Sequence, residues 1–270
     1  MKVLVYVDPS SRGEWALAPA LDLATRLCTK MILLSTEETI EQHPKLLEET
    51  AERFAALKIS VEKSVRPGPP RRAILEESAV SYPAITVFPP AGRWALGRMF
   101  HGSRVRSVVH DAPSTVMVAH KPVSEHIRRI LVTVSGGPMT ETLIRGSEEV
   151  AKGLDAEMSV LHVSSSVPLP FGEVRSEAPP TNRPLKEVLN KLAEADITPR
   201  FLERDGMVVR EILSECHEGH YDLLILGQHL ADREMGGPLS QNLAEILALE
   251  SPIPVLIIRP RRWATAESER

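Results

Sequence analysis

The chain is written twice. Laid over residues 129–163 at a constant offset, residues 2–36 match KVLVYVD to RILVTVS and MILLST to MSVLHV. Further on, AITVFP at 84–89 lies over LLILG at 223–227, and APSTVMVAHKP at 112–122 over SPIPVLIIRP at 251–260. A duplication of this extent confines the fold to two similar units. In each copy short β-branched runs alternate with longer stretches of helical period, which predicts successive βαβ units on a parallel sheet. Strand runs fall near 2–7, 31–35, 59–65, 84–88 and 115–119, then 129–134, 158–163, 198–202, 222–226 and 255–258. They read as near-continuous apolar runs, as expected where helices cover both faces of a sheet. The fold class is therefore α/β, with two tandem five-stranded parallel-sheet domains.

Leu143, Ile144, Val150, Ala151 and Leu154 form one apolar helix face, and Leu185, Val188, Leu189 and Leu192 another. Both are expected to face the core. The polar segment 121–128 separates the copies, giving domains 1–122 and 127–260, with 261–270 as a tail expected to fray. The proline-rich stretch 167–184 has no counterpart of equal length in the first copy and is expected to be a surface loop or a lid over a neighbouring site.

Hydrophobic content of 43% with 25% charged residues suits a soluble globular chain. The net charge of −4 offers no electrostatic reason to expect a nucleic acid as partner. Asp8 interrupts the N-terminal apolar run before it reaches the length of a signal core, and no run approaches the ~20 residues of a membrane span, so a cytoplasmic location is expected. Cys28 and Cys216 lack metal-ligand spacing and read as small core residues.

After the fourth strand run comes GRWALGRMFHGS, residues 92–103. Ligands of open α/β sheets bind beyond the carboxyl ends of strands where the strand order reverses. Ser103 opens a helical segment through residue 110, whose N-terminus favours an anion; glycine lets a phosphate approach the backbone, and Ser103 adds a hydroxyl. Asp8 ends the first strand on the same sheet edge, where a carboxylate can accept from a ribose hydroxyl or an adenine amino group, and Thr36, ending the second strand, would flank the base.

Two tandem five-strand units, the strand-ending Asp8, LHV at 161–163 and Gly92-x9-Gly102-Ser103 together resemble the universal stress protein family in its two-domain form. The likeness covers nearly the whole chain. It implies strand order 3-2-1-4-5, an adenine nucleotide alpha hydrolase-like fold, and an intramolecular pseudo-dimer whose fifth strands, 115–119 and 255–258, meet across a two-fold axis. ATP-binding members carry G-x2-G-x9-G-[ST] after the fourth strand. The first copy has Pro89 where the leading glycine stands, which removes one N–H but leaves Gly92, Gly102 and Ser103. The second has Gly227-x2-Leu230-x9-Ser240-Gln241, with Ser135 in place of the aspartate, so its site is expected to be weak or empty, although Gly236 and Gly237 leave its loop open to another use.

The resemblance thus implies regulatory binding of ATP, with Mg2+ an open question and ADP or AMP as alternatives, at Asp8, Thr36, Gly92, Gly102 and Ser103. It also implies a stress-response role, an unidentified protein partner and association of pseudo-dimers into homodimers. Two rival functions stand beside it. One is a nucleotide-independent interaction module with vestigial sites; the other is a slow ATP-using enzyme in which His101, Arg93 or Arg98 stabilises a transferred group. Gly92 to Met99 misses the P-loop pattern, since Arg98 replaces its lysine and Met99 its hydroxyl residue. His162, His217 and His220 lack ligand-spaced partners and read as structural.

Overall fold

The computed structural model describes residues 1–27, 30–90, 103–122, 124–135, 140–164, 199–227 and 243–259. The first half runs β1 (Lys2–Tyr6), α1 (Gly13–Leu27), β2 (Lys30–Thr36), α2 (Glu37–Gln42), α3 (Leu46–Ala55), β3 (Ser60–Arg66), α4 (Pro70–Ser81), β4 (Ile85–Phe88), α5 (Ser103–Asp111) and β5 (Thr115–Val118). The second runs β6 (Arg129–Val134), α6 (Thr140–Leu154), β7 (Glu157–Ser164), β8 (Arg200–Asp205), α7 (Val208–Glu218), β9 (Leu223–Gly227), α8 (Leu243–Glu250) and β10 (Val255–Ile258). Cys28, the 167–184 stretch, the stripe from Leu185 to Leu192, Gly236, Gly237 and the 261–270 tail lie outside the described residues.

The ten strands form one sheet in the order β3-β2-β1-β4-β5-β10-β9-β6-β7-β8. The two expected five-stranded units are thus parts of one continuous sheet, joined where the fifth strands meet, as the family resemblance implies. Each half keeps its own parallel order, but β5 and β10 pair antiparallel, with Val116 opposite Ile257, Met117 opposite Leu256 and Val118 opposite Val255. The physical reason lies in those residues, all at most 1% exposed. A flat apolar edge strand is a template for pairing with another chain, and joining the two edges removes both.

Alternation along each strand feeds two layers of helices. Val3, Val5, Met31 and Leu33 face one core with Leu17 and Leu23 of α1, Phe54 of α3, and Ile144 and Leu154 of α6. Leu4, Tyr6, Ile32 and Leu34 face the other with Ile74 of α4, Val105 and Val108 of α5, Ile212 of α7 and Leu247 of α8. Each core takes residues from both halves, so the seam is covered on both faces. The edge strands β3 and β8 are exposed at alternate or successive positions and carry Glu62, Lys63, Glu203 and Asp205. Continuous apolar runs therefore describe the inner strands and not the edges. The shift of β8 from the expected 198–202 to Arg200–Asp205 follows from that polarity.

The connection between halves is held by two aspartates. Asp22 of α1, 5% exposed, accepts from the Ile127 amide at 2.8 Å and contacts His126 Nδ1 at 3.1 Å. Asp222 accepts from Ser124 Oγ at 2.6 Å and from the amides of Arg128 and Arg129 at 2.9 Å each.

Candidate functional site

Beyond β1 the chain turns back sharply. Val7 continues the ladder, its amide donating to the Leu34 carbonyl at 2.8 Å, and its own carbonyl accepts from Ser35 Oγ at 3.1 Å. Asp8 then closes a local turn in which its Oδ1 accepts the Ser10 amide at 2.8 Å. The Gly13 amide donates to the Ser10 carbonyl at 2.8 Å as α1 begins. A Cβ on Gly13 would overlap the Asp8 carbonyl, so glycine is what allows the turn to fold this tightly. Asp8 stays partly exposed, and its Oδ2 has no hydrogen bond among the described residues.

Thr36 ends β2, the strand beside β1. Tyr6 pairs with Leu34, so two residues further on Asp8 and Thr36 reach the same sheet edge. Thr36 is 2% exposed and already employed: its hydroxyl caps α2, accepting the Thr39 amide at 3.3 Å, and lies 2.8 Å from Thr39 Oγ1. On the other side of β1 stands β4, Val5 pairing with Val87. The chain leaves β1 toward β2 and leaves β4 toward β5, so the order reverses between β1 and β4. That is the switch point at which open α/β sheets bind ligands. Ser103 begins α5, the helix that follows β4. Gly92 and Gly102, with Arg93, Arg98 and His101, lie outside the described residues.

Two cationic or titratable groups missed by sequence reasoning reach this edge. The Arg12 guanidinium lies 5.3 Å from the centre of the Trp15 ring. His120 follows β5, which is tied to β4 where the Ala119 amide meets the Phe88 carbonyl at 2.9 Å. Its Nε2 lies 2.8 Å from the Ala248 carbonyl, near the end of α8 in the other half. Burial pushes the His120 pKa below its ordinary value and the Arg12 charge adds to this, so the neutral ring donates that bond. Sequence periodicity carries no signal for either contact, because both depend on which strands become neighbours.

The second half offers a different end. Ser135 follows β6 exposed, without a carboxylate. His162 Nδ1 lies 3.1 Å from the Val134 carbonyl, the place held by the Ser35 hydroxyl in the first half. Residues 136–139 and 228–242, which include Leu230, Ser240 and Gln241, lie outside the described residues. Across the seam Arg259 donates to the carbonyls of Val109 and His110 at 2.7 and 2.8 Å, mirroring His120 on α8. Burial lowers its pKa to about 10. Among the described residues no group of three His, Cys, Asp or Glu side chains is placed to hold a metal ion, and no helix is long and apolar enough to cross a membrane.

A pair of ion pairs recurs behind the strand ends. Arg66 Nε meets Glu77 Oε2 at 2.8 Å, and Arg204 Nε meets Glu215 Oε2 at 2.8 Å. Burial works to raise the Glu77 pKa, but hydrogen bonds from Ser64 and Arg66 outweigh it and hold the carboxyl below its ordinary range. These pairs fasten the edge strands to α4 and α7.

Residues 126–259 match the model of the universal stress protein family. No curated protein matches the chain. A universal stress protein from Archaeoglobus fulgidus DSM 4304 superposes with a TM-score of 0.73 at 18% identity, covering 96% of each chain. A protein of Pseudomonas aeruginosa UCBPP-PA14 assigned as a universal stress protein gives 0.75 at 17% identity over 99% of this chain and 96% of that one. A functionally unknown protein of Pseudomonas aeruginosa PAO1 gives 0.71 at 16% identity over 100% and 97%. At such identities these likenesses establish the fold across both halves.

Proposed function

Because this chain belongs to the universal stress protein family through its second half, and its first half repeats that unit, we propose that the first half binds an adenine nucleotide at the β1/β4 switch point. ATP, with or without Mg2+, is the first candidate and ADP or AMP the alternatives. The role is regulatory, within a stress response in the cytoplasm, through a protein partner still to be identified. The units are 1–122 and 127–260, packed as an intramolecular pseudo-dimer, with 261–270 as a tail and further pairing into homodimers.

The supporting observation is the placement of Asp8 and Thr36 on one sheet edge, with α5 beginning at Ser103 after the strand on the other side of β1. The Asp8 Oδ2 is available to a ribose or adenine donor. Gly92 and Gly102 admit the phosphates, the Ser103 hydroxyl donates to them, and the start of α5 favours their charge. A ligand that prefers one arrangement of the halves stabilises it by RT ln(1 + [L]/Kd). The second half, with Ser135 in place of the acid, binds weakly or not at all.

Calorimetric titration of Mg-ATP into nucleotide-stripped protein tests this. One nucleotide per chain, abolished in Gly102→Val, is expected; no heat at millimolar ATP refutes it. The nucleotide-independent interaction module is favoured by one observation: Asp8 and Thr36 both already serve local turns and caps. That reading expects an unchanged thermal midpoint with excess ATP.

A further inference from the structure

The two halves diverge where the fourth strand begins. The Ala84 amide donates to the Lys2 carbonyl at 2.8 Å and the Asp222 amide to the Arg129 carbonyl at 2.8 Å, and Tyr82 and His220 both take positive φ, 47° and 52°. Lys2 therefore corresponds to Arg129, Ser81 to Gly219 and Pro83 to Tyr221. In the first half Lys2 Nζ donates to the Ser81 carbonyl at 2.6 Å and closes the corner.

The second half is rebuilt. Tyr221, 2% exposed, packs its ring against Gly219, where a Cβ would overlap it. Burial raises the phenol's pKa, and its oxygen lies 3.2 Å from Glu215 Oε1. The Arg129 guanidinium lies 5.4 Å from the centre of the same ring instead of capping a carbonyl. A cation–π contact engages the charge of the guanidinium and supplies no acceptor oxygen, so its N–H donors remain to be satisfied by another group. Arg200, exposed, begins β8 nearby. A groove of about 430 Å3 runs between Arg129 and Arg200, with Glu203, His220 and Tyr221 also on its walls. Arg204, the third arginine of the groove, is committed to Glu215 and Glu218. Among the described residues neither the Arg129 nor the Arg200 side chain has a carboxylate partner.

We infer that this groove is a binding site for a small oxyanion, a carboxylate or phosphate group held between Arg129 and Arg200. Two guanidiniums sharing one groove attract such a group, and their planar donors match its paired oxygens. Glu203, Glu215 and Glu218 balance the three arginines of the groove in formal charge, so affinity and selectivity rest on the local donor geometry of Arg129 and Arg200 rather than on a net field. The site is independent of the nucleotide crevice, from which five strand positions separate it, counting from β1 to β6.

The test is NMR titration of the full chain with inorganic phosphate and, separately, citrate at constant ionic strength, following the amides of Gly219, His220 and Tyr221. Saturable shifts are expected, with affinity about tenfold weaker in Arg200→Gln, as one lost hydrogen bond to a charged group implies, and unchanged in Lys2→Gln. Saturation by phosphate alone identifies a phosphate site, and by citrate alone a carboxylate site. Linear shifts with either anion, or equal affinity in a normally folded Arg200→Gln, overturn the inference.

Discussion

Replacing Asp22 with alanine is expected to loosen the join between the halves. The carboxylate accepts the Ile127 amide at 2.8 Å, and Ile127 is only 5% exposed, so no water replaces the lost acceptor freely. An unsatisfied buried N–H costs about 1–3 kcal/mol. The ion pair with Arg26 and the hydrogen-bond contact with His126, whose side chains are 29% and 54% exposed, together contribute about 1 kcal/mol after solvent screening. Asp22→Ala should thus lose about 2–4 kcal/mol in urea unfolding followed by circular dichroism. Asp22→Asn keeps an acceptor for Ile127 and gives up only the charge, so it should lose about 1 kcal/mol. The reasoning fails if the alanine variant loses less than about 0.5 kcal/mol, the scatter of ordinary surface changes, or if both variants lose the same amount.

Other outcomes follow from single contacts. Burial lowers the His120 pKa below 6.5, so as pH falls through that value the unfolded chain takes up a proton that the folded chain resists; stability is full above 6.5 and declines below it. His120→Gln should flatten that decline in thermal scans between pH 7.5 and 5, and an unchanged slope would count against it. The Cys216 thiol is pushed up to about 12, chiefly by burial and then by the Glu215 charge, so it should resist iodoacetamide at pH 8 until the protein unfolds; fast labelling of the native chain contradicts this. Gly13→Ala forces Asp8 aside and should both destabilise the fold and weaken ATP binding in calorimetry. Retained affinity would separate Asp8 from the ligand.

The repeat made the inner strands legible, because Val3 to Val7 and Ile130 to Val132 feed two helix layers rather than one. The edges were harder to read. Strand β8 alternates Phe201, Glu203 and Asp205 with half-buried neighbours, so its start was displaced to 198. Asp8 and Thr36 were legible as strand-ending polar residues. Their existing partners, Ser10 and Thr39, were not, since these depend on turn geometry. Nothing in the sequence singles out Asp22, and only the path of the linker makes it a buried acceptor. Arg129 and Tyr221 are far apart in sequence, and nothing short of the β6/β9 pairing brings them to one groove.

The most direct test is photolabelling of the full chain with 8-azido-ATP, competed by ATP and mapped by peptide mass spectrometry. The expected result is competed label on first-half peptides that include Asp8, Thr36 or Ser103, at one site per chain. Label confined to the second half, or none that ATP competes away, would contradict nucleotide binding at the β1/β4 switch point.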